Sequence, residues 1–348
     1  MPFYRDLDPK TSTGKRVLCR LLALREEFEA QGIPERNLQS SLLLASWNIR
    51  EFDSTSHGFR TAESMQYIAE IVSRFDLVAI QEVRRSLDAL HRLMSVLGPY
   101  WSYLVSDVTE GPQGNRERLA FVFDTRKVRL SGLAGEIVLP DRNGKPVDQI
   151  DRTPYLVGFK AGWAKFALVT VHMRWGSDKA NDPQRLAEIE HLAKFLDKRA
   201  TDKTSWTRNM IVLGDFNIFD HNDDTMLALT DNGFSVPEPL IGAKANLRRN
   251  RAYDQIAFHV DKDRISDTGR GGVFDFQPVL YRPEDEATYR KDMGPAYETS
   301  SKGEARDAKA RTRYYRQWAT HQMSDHLPLW TELKIDYSER YLRRKLEV

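Results

Sequence analysis

Cysteine is almost absent from this chain: Cys19 is the only one in 348 residues. No intramolecular disulfide can form, so the fold must be held by its core. With apolar neighbours such as Leu18 and Leu21, Cys19 reads as a small core residue rather than a reactive thiol. Long apolar runs are missing too, and none approaches the length of a transmembrane helix. Charge of one sign is missing: 52 Lys and Arg stand against 50 Asp and Glu, a formal net charge of +2. Whole-chain charge therefore gives no argument for nucleic acid, and any basic surface must be local. The opening stretch MPFYRDLDPKTSTGKR lacks the basic-then-apolar layout of a secretory signal. The expectation is a soluble cytoplasmic protein with no stable membrane association.

What remains is an ordinary globular balance, 41% hydrophobic and 29% charged, with enough apolar material for a sizeable core. Residues 14–31 carry Val17, Leu21, Leu24 and Phe28 at helical spacing, and Gly32 with Pro34 ends the pattern. This predicts an N-terminal helical extension over 1–40. From 41 the texture changes to short apolar runs, predicting a main domain over 41–336 and a tail over 337–348. Strands are predicted at 42–47, 77–80, 119–123, 128–139, 154–159, 166–171, 210–214 and 327–335. Helices are predicted at 62–74, 86–97 and 183–200. Near-continuous apolar runs suit strands buried on both faces. With helices between them, they imply mixed sheets sandwiched by helices. Residues 281–320 break this rhythm and read as an insertion, polar but rich in Tyr and Trp.

Several of these strands end on a chemically capable residue. The first leads to Asn48, the second to Gln81 and Glu82, the run at 166–171 to His172, and the run at 210–214 to Asp215 and Asn217. Polar side chains at strand ends collect at one rim of a sheet, where α/β sheets bind ligands. Oxygen donors there suit Mg²⁺, which takes one or two carboxylates and completes its shell with water and phosphate. Asp254, in Tyr253-Asp254-Gln255, and Asp325-His326, before the last strand, join the set. Singly, each has an ordinary reading: an Asp caps a helix, a His is a satisfied core residue, a Glu after a strand faces solvent. Asn48 and Asn217 could bond loop backbone, Arg84 could be a solvated side chain, and Arg152 could serve a turn.

The ordered set is another matter. Trp47-Asn48-Ile49-Arg50, Gln81-Glu82-Val83-Arg84, Val171-His172, Gly214-Asp215-Phe216-Asn217, Tyr253-Asp254 and Ser324-Asp325-His326-Leu327-Pro328 occur in this order. Together they resemble the endonuclease/exonuclease/phosphatase superfamily. Arg116-Glu117-Arg118 and Arg152-Thr153-Pro154 are similar to segments of its deoxyribonuclease I branch. The resemblance implies a four-layer α/β sandwich, two mixed β-sheets flanked by helices. It implies a phosphodiesterase using Mg²⁺ or Mn²⁺, with Glu82 as principal metal ligand and Asn48 beside it. Asp325 would hold a second metal or polarise the site. His326 would be the general base, oriented by Asp254. His172, paired with Glu117, and Asp215 stay open as alternatives for the general acid. Asn217 would help position water or a phosphate oxygen. Arg84 and Arg152 are candidate phosphate contacts, since a guanidinium fork matches phosphate oxygens.

The substrate is less constrained. Arg248, Arg249 and Arg251 form one basic cluster; Lys302, Arg306, Lys309, Arg311, Arg313 and Arg316 form another, with Tyr314, Tyr315 and Trp318 interleaved or following. Basic residues with aromatics suit a phosphate backbone with stacked bases. An ordinary solvated helix is the competing reading. Nucleic acid, DNA or RNA, is thus the first expectation. A lipid or small-molecule phosphodiester or phosphate is the second, and a non-catalytic binding module the third. An intracellular nuclease would need gating by substrate structure, by a regulatory partner not identifiable from sequence, or by the 281–320 segment. If Arg311 and Arg313 track phosphates, changing both to Ala weakens nucleic-acid binding and flattens its dependence on salt, by about one unit of log–log slope per side chain. A salt titration of binding reads this, and an unchanged slope removes both from the binding surface.

Overall fold

The computed structural model describes residues 2–52, 54–110, 115–141 and 146–347. In chain order the first elements are α1 (Ser12–Ala30), β1 (Ser41–Phe52), α2 (Ala62–Ser73), β2 (Leu77–Arg84), α3 (Asp88–Leu97), β3 (Trp101–Val105) and β4 (Glu117–Asp124). Then come β5 (Val128–Glu136), β6 (Tyr155–Ala161), β7 (Ala164–His172), α4 (Pro183–Thr201), β8 (Met210–Asp215), α5 (Asp224–Thr230) and β9 (Asp254–His259). The last are β10 (Ser266–Val273), α6 (Arg290–Met293), α7 (Pro295–Glu298), α8 (Ala308–Gln322), β11 (Leu329–Lys334) and α9 (Ser338–Leu346).

Alternation along β1 builds the layers. Leu42 and Leu44 point into a core shared with Phe121, Phe159, Leu168, Leu213 and Ile256, which lies between two sheets. Leu43, Ala45 and Trp47 point the other way, against Val17, Leu21 and Phe28 of α1 and Ile68 and Val72 of α2. This is the period-two pattern of a strand buried on both faces. The first sheet has the order β10-β11-β1-β2-β4-β3, the second β5-β6-β7-β8-β9. On the far side of the second sheet, Val169, Val171 and Val212 pack against Ile189, Leu192 and Leu196 of α4. Two mixed sheets with helices on both outer faces give the expected four-layer sandwich. No helix among the described residues is long and apolar enough to cross a membrane.

Strand direction decides where the polar residues meet. β1 runs parallel to β2, and β7 parallel to β8. β4, β9 and β11 run antiparallel to their neighbours. The exit ends of β1, β2, β7 and β8 therefore share a rim with the entry ends of β4, β9 and β11. Glu117, Asp254 and His326 belong to those entry ends, so strand exits alone do not describe the site.

Several sequence expectations change. β3 and β10 were not anticipated; they form the two edges of the first sheet. Edge strands face solvent on one side and need no apolar run, and β10 is polar and Gly-rich, SDTGRGGV. The strand predicted at 128–139 stops at Glu136. Cys19 is exposed on α1 rather than in the core.

The 281–320 segment changes most. Tyr281, Tyr289, Tyr297, Tyr315 and Trp318 are buried in the same core cluster as α1 and α2, and only Tyr314 of the expected stacking residues is half-buried. In α8, Tyr315, Trp318 and Gln322 recur at helical spacing on the buried face, leaving Arg313 and Arg316 exposed. Glu63 of α2 accepts hydrogen bonds from Tyr67, Tyr289 and Arg16. Extension, α2 and insertion thus form one helical layer, and the buried aromatics are unavailable to bases. Replacing Trp318 with Ala should cost about 3–5 kcal/mol of folding stability, the range for a fully buried large aromatic. Urea denaturation reads this; a loss below about 0.5 kcal/mol would mean the segment is a detachable surface arm.

Candidate active site

At the rim, Asn48 is fully buried and its Nδ2 donates twice, to Glu82 Oε1 at 2.9 Å and to Asp215 Oδ2 at 3.0 Å. Glu82 lies on the first sheet and Asp215 on the second. Glu82 has φ +61°, and the β2–β4 register shifts between Ile80 and Val83. A bulge of this kind re-aims a side chain at a cost in backbone strain. Here it turns the Glu82 carboxylate to the rim, where Oε2 accepts the Glu51 backbone N–H at 2.7 Å. Behind it, Gln81 crosses to the second sheet and donates to Thr170 Oγ1 at 2.9 Å.

On the second sheet, Gly214 sits beside Val171 with φ +139°, and a Cβ built there would lie 2.1 Å from the Val171 carbonyl oxygen. Only glycine lets β8 approach β7 this closely. The next residue, Asp215, is buried; its Oδ1 accepts the Asn217 N–H at 2.9 Å. Asn217, at φ +53°, donates through Nδ2 to the Met173 carbonyl at 2.8 Å. His172, in register with Asp215, presents Nε2 to Asp215 Oδ2 at 3.7 Å. Its Nδ1 lies 3.0 Å from Glu117 Oε2, off the line of a good hydrogen bond.

His326 completes the arrangement from the other side. Its Nδ1 meets Asp254 Oδ2 at 2.8 Å and its Nε2 stands 3.8 Å from Asp215 Oδ2. Its carbonyl accepts from Trp47 Nε1 at 3.0 Å, and Ser324 bonds the Asn48 carbonyl at 2.6 Å, pinning this segment to β1. Burial opposes charge on His326, but Asp254 and Asp215 outweigh it and hold the pKa well above the usual imidazole value. Burial and Arg152 likewise oppose charge on His172, and Glu117 and Asp215 raise its pKa against them. Both imidazoles are thus drawn toward protonation by the carboxylates beside them, Asp254 and Asp215 at His326, Glu117 and Asp215 at His172.

These groups line a cleft of about 610 Å³. Glu82, Glu117, His172, Asp215, Asn217, Asp325, His326, Arg84 and Arg152 reach it. Asn48 and Asp254 lie just behind, bonded to residues that do. Arg84 and Arg152 are not free forks: Arg84 lies 3.6 Å from Glu117 and 3.5 Å from Glu51, and Arg152 Nε lies 3.1 Å from Glu117. Arg311 and Arg313 do not line it. Arg311 lies 3.4 Å from Glu298, and Arg313 is exposed on α8. Glu51, Asn115, Trp175 and Tyr253, none of which stands out as a functional residue in the sequence, also line the cleft. Tyr253 could have been suspected beside Asp254, and Trp175 three residues after His172.

The family model for the Endonuclease/Exonuclease/phosphatase family matches residues 45–326, most of the chain and every element of this rim. The chain belongs to the Endonuclease/Exonuclease/phosphatase family. It is similar to a deoxyribonuclease of Thioalkalivibrio sp. (strain K90mix), 30% identical over 253 residues, covering 69% of this chain and 64% of that protein. It is similar to deoxyribonuclease-1 of Bos taurus, 32% identical over 213 residues, covering 59% of this chain and 67% of that protein. The match therefore spans just under two thirds of the first relative's length. Among solved structures, the crystal structure of an endonuclease/exonuclease/phosphatase from Bacteroides vulgatus superposes with TM-score 0.55 at 14% identity, covering 86% of this chain and all of that one. At that identity it supports the fold alone.

Members of the Endonuclease/Exonuclease/phosphatase family like deoxyribonuclease I generally use divalent metals, and the rim here fits one. Asn48 Oδ1 is buried without a hydrogen-bond partner, beside the Glu82 carboxylate. Burial raises the Glu82 pKa, the mark of a carboxylate that lacks sufficient positive charge. Asp325 is half exposed on the cleft wall. No cluster of three or more His, Cys, Asp or Glu set to hold a metal occurs among the described residues. The amide and carboxylate oxygens of Asn48, Glu82 and Asp325 are donors of the kind a hard cation takes, completing its shell with water. Changing Gly214 to Ala should destabilise the fold by at least about 2 kcal/mol, since the positive φ and the carbonyl contact both penalise a Cβ. A denaturation midpoint equal to wild type would mean β7 and β8 can part without cost.

Proposed function

We propose that this chain is a divalent-cation-dependent phosphodiesterase that hydrolyses nucleic acid, DNA foremost, with His326 as general base. One observation carries the reading. Two imidazoles, His326 hydrogen-bonded to Asp254 and His172 3.0 Å from Glu117, present Nε2 to a single oxygen, Asp215 Oδ2, at 3.8 and 3.7 Å. A phosphate between them would meet a proton acceptor on one side and a donor on the other.

In this reading His326 Nε2 takes the proton of the attacking water, and Asp254 fixes the ring and stabilises the imidazolium. The water oxygen bonds to phosphorus as the bond to the leaving oxygen breaks. His172, held by Glu117, or Asp215 supplies the proton that oxygen needs. Asn217 orients a non-bridging oxygen, and Arg152 and Arg84 brace Glu117 against the incoming charge. Glu82, Asn48 and Asp325 would hold the cation, which when bound neutralises phosphate charge, lowers the pKa of bound water and opposes protonation of His326. DNA is favoured by the two deoxyribonuclease relatives.

The test is a substrate panel of single-stranded DNA, duplex DNA, RNA and a phospholipid head-group ester, with Mg²⁺ or Mn²⁺. DNA should be cleaved, chelation should abolish cleavage, and His326→Ala should lower kcat about 10²–10⁴-fold. Full activity in His326→Ala, or cleavage of the head-group ester alone, overturns the proposal.

A further inference from the structure

One part of the cleft is not explained by phosphate chemistry. Its lining is mostly ionic, yet Trp175 stands at its mouth with 40% of its surface exposed. Trp175 is the outer ring of an aromatic series that starts at the proposed base. The Tyr253 ring lies 5.8 Å from the His326 ring. Trp175 packs edge-on against Tyr253 at 5.4 Å and tilted against Phe219 at 5.4 Å. Phe219 is buried beneath, with the Arg251 guanidinium over its ring at 4.2 Å.

The loop that carries Trp175 is held in place. Arg185, wholly buried, donates to the carbonyls of Trp175, Lys179 and Ala180. Asp182 accepts from Ser177 N and Oγ and from the backbone N–H groups of Gln184 and Arg185, all within 3.1 Å. Gly176, at φ +69°, lies against the Asp182 carboxylate, where a Cβ would meet it at 2.6 Å. An exposed indole normally costs nothing to leave mobile. Two buried polar side chains fixing its backbone make it a preorganised surface, which loses little freedom on binding.

We propose that Trp175, backed by Tyr253 and Phe219, is a stacking shelf for an unpaired nucleobase next to the scissile phosphate, and that the enzyme prefers unpaired strands to intact duplex. The inference rests on the nuclease reading above. A base within a duplex has both faces covered by its neighbours, so it can offer a face to Trp175 only after unstacking. An unpaired base pays less for this, and aromatic stacking tolerates any base. Trp175 is a specificity residue in this account, since the reacting atoms lie at His326, His172 and Asp215.

The full-length protein with Mg²⁺ or Mn²⁺ is tested as wild type, Trp175→Ala and Trp175→Phe. Substrates are a single-stranded DNA oligonucleotide, its duplex, and single strands lacking one base at each position in turn. Wild type should cut the single strand faster than the duplex. Trp175→Ala should lower kcat/KM on the intact strand about 5- to 100-fold, mostly through KM, and Trp175→Phe should retain most activity. Removing the stacked base should impair wild type by a similar factor and Trp175→Ala by little more. If wild type cuts and Trp175→Ala is equally active, or loses the same factor on intact and base-free strands, the shelf is overturned while the nuclease reading stands. Duplex cut as fast as single strand also overturns it. A wild type that cuts no nucleic acid overturns the nuclease reading and this inference with it.

Discussion

The side-chain amide of Asn48 joins two sheets. One of its hydrogens goes to Glu82 on its own sheet and the other to Asp215 on the facing one, in a place that water does not reach. Two carboxylates brought this close repel each other, and a shared donor in a low-dielectric setting offsets much of that repulsion. The remaining amide oxygen is buried without a partner, an unmet acceptor just behind the rim. What the rim can bind follows from that residue.

The same logic repeats on both sides of Asn48. His326, entering β11 on the first sheet, is held by Asp254 from β9 on the second. His172, leaving β7 on the second sheet, is held by Glu117 from β4 on the first. Each working pair takes one member from each sheet, so the site is a seam. The apolar core between the sheets sets their spacing, and the seam inherits it. Residues far from the chemistry thereby matter to it: Gly214 sets how closely β8 lies on β7, and the helical layer holds the outer face of β1. Packing on that outer face involves α1, α2 and α8 together, which is why the 281–320 segment is structural despite its polar appearance.

Charge at the seam is unbalanced in one direction. Glu51, Glu82, Glu117, Asp215 and Asp325 line the cleft against Arg84 and Arg152, and both arginines are committed to Glu117. A phosphodiester would be repelled by such a surface. Raised pKa values at both histidines, where neighbouring carboxylates outweigh burial, fit the same excess of negative charge. A cation at Asn48 and Glu82 would relieve it and make the cleft receptive to phosphate.

Much of this was legible in the sequence. The buried strands announced themselves as apolar runs, and the order Asn48, Glu82, His172, Asp215, Asn217, Asp254, Asp325, His326 carried the family resemblance, because strand burial and motif order are local properties of the chain. The spacing of Tyr315, Trp318 and Gln322 is that of a buried helix face, but the basic residues between them give the same stretch the composition of a binding surface. The edge strands β3 and β10 left little trace, since an edge does not demand an apolar run. The resemblance already implied the pairs His326–Asp254 and His172–Glu117. Only the tertiary structure decided their geometry, the turning of Glu82 through a positive φ, and the setting of Trp175 beside Tyr253, all of which depend on two sheets packing at one register. That is a property of contacts between residues 34 to 167 positions apart, such as those of Asn48 with Glu82 and Asp215, and short-range patterns do not encode it.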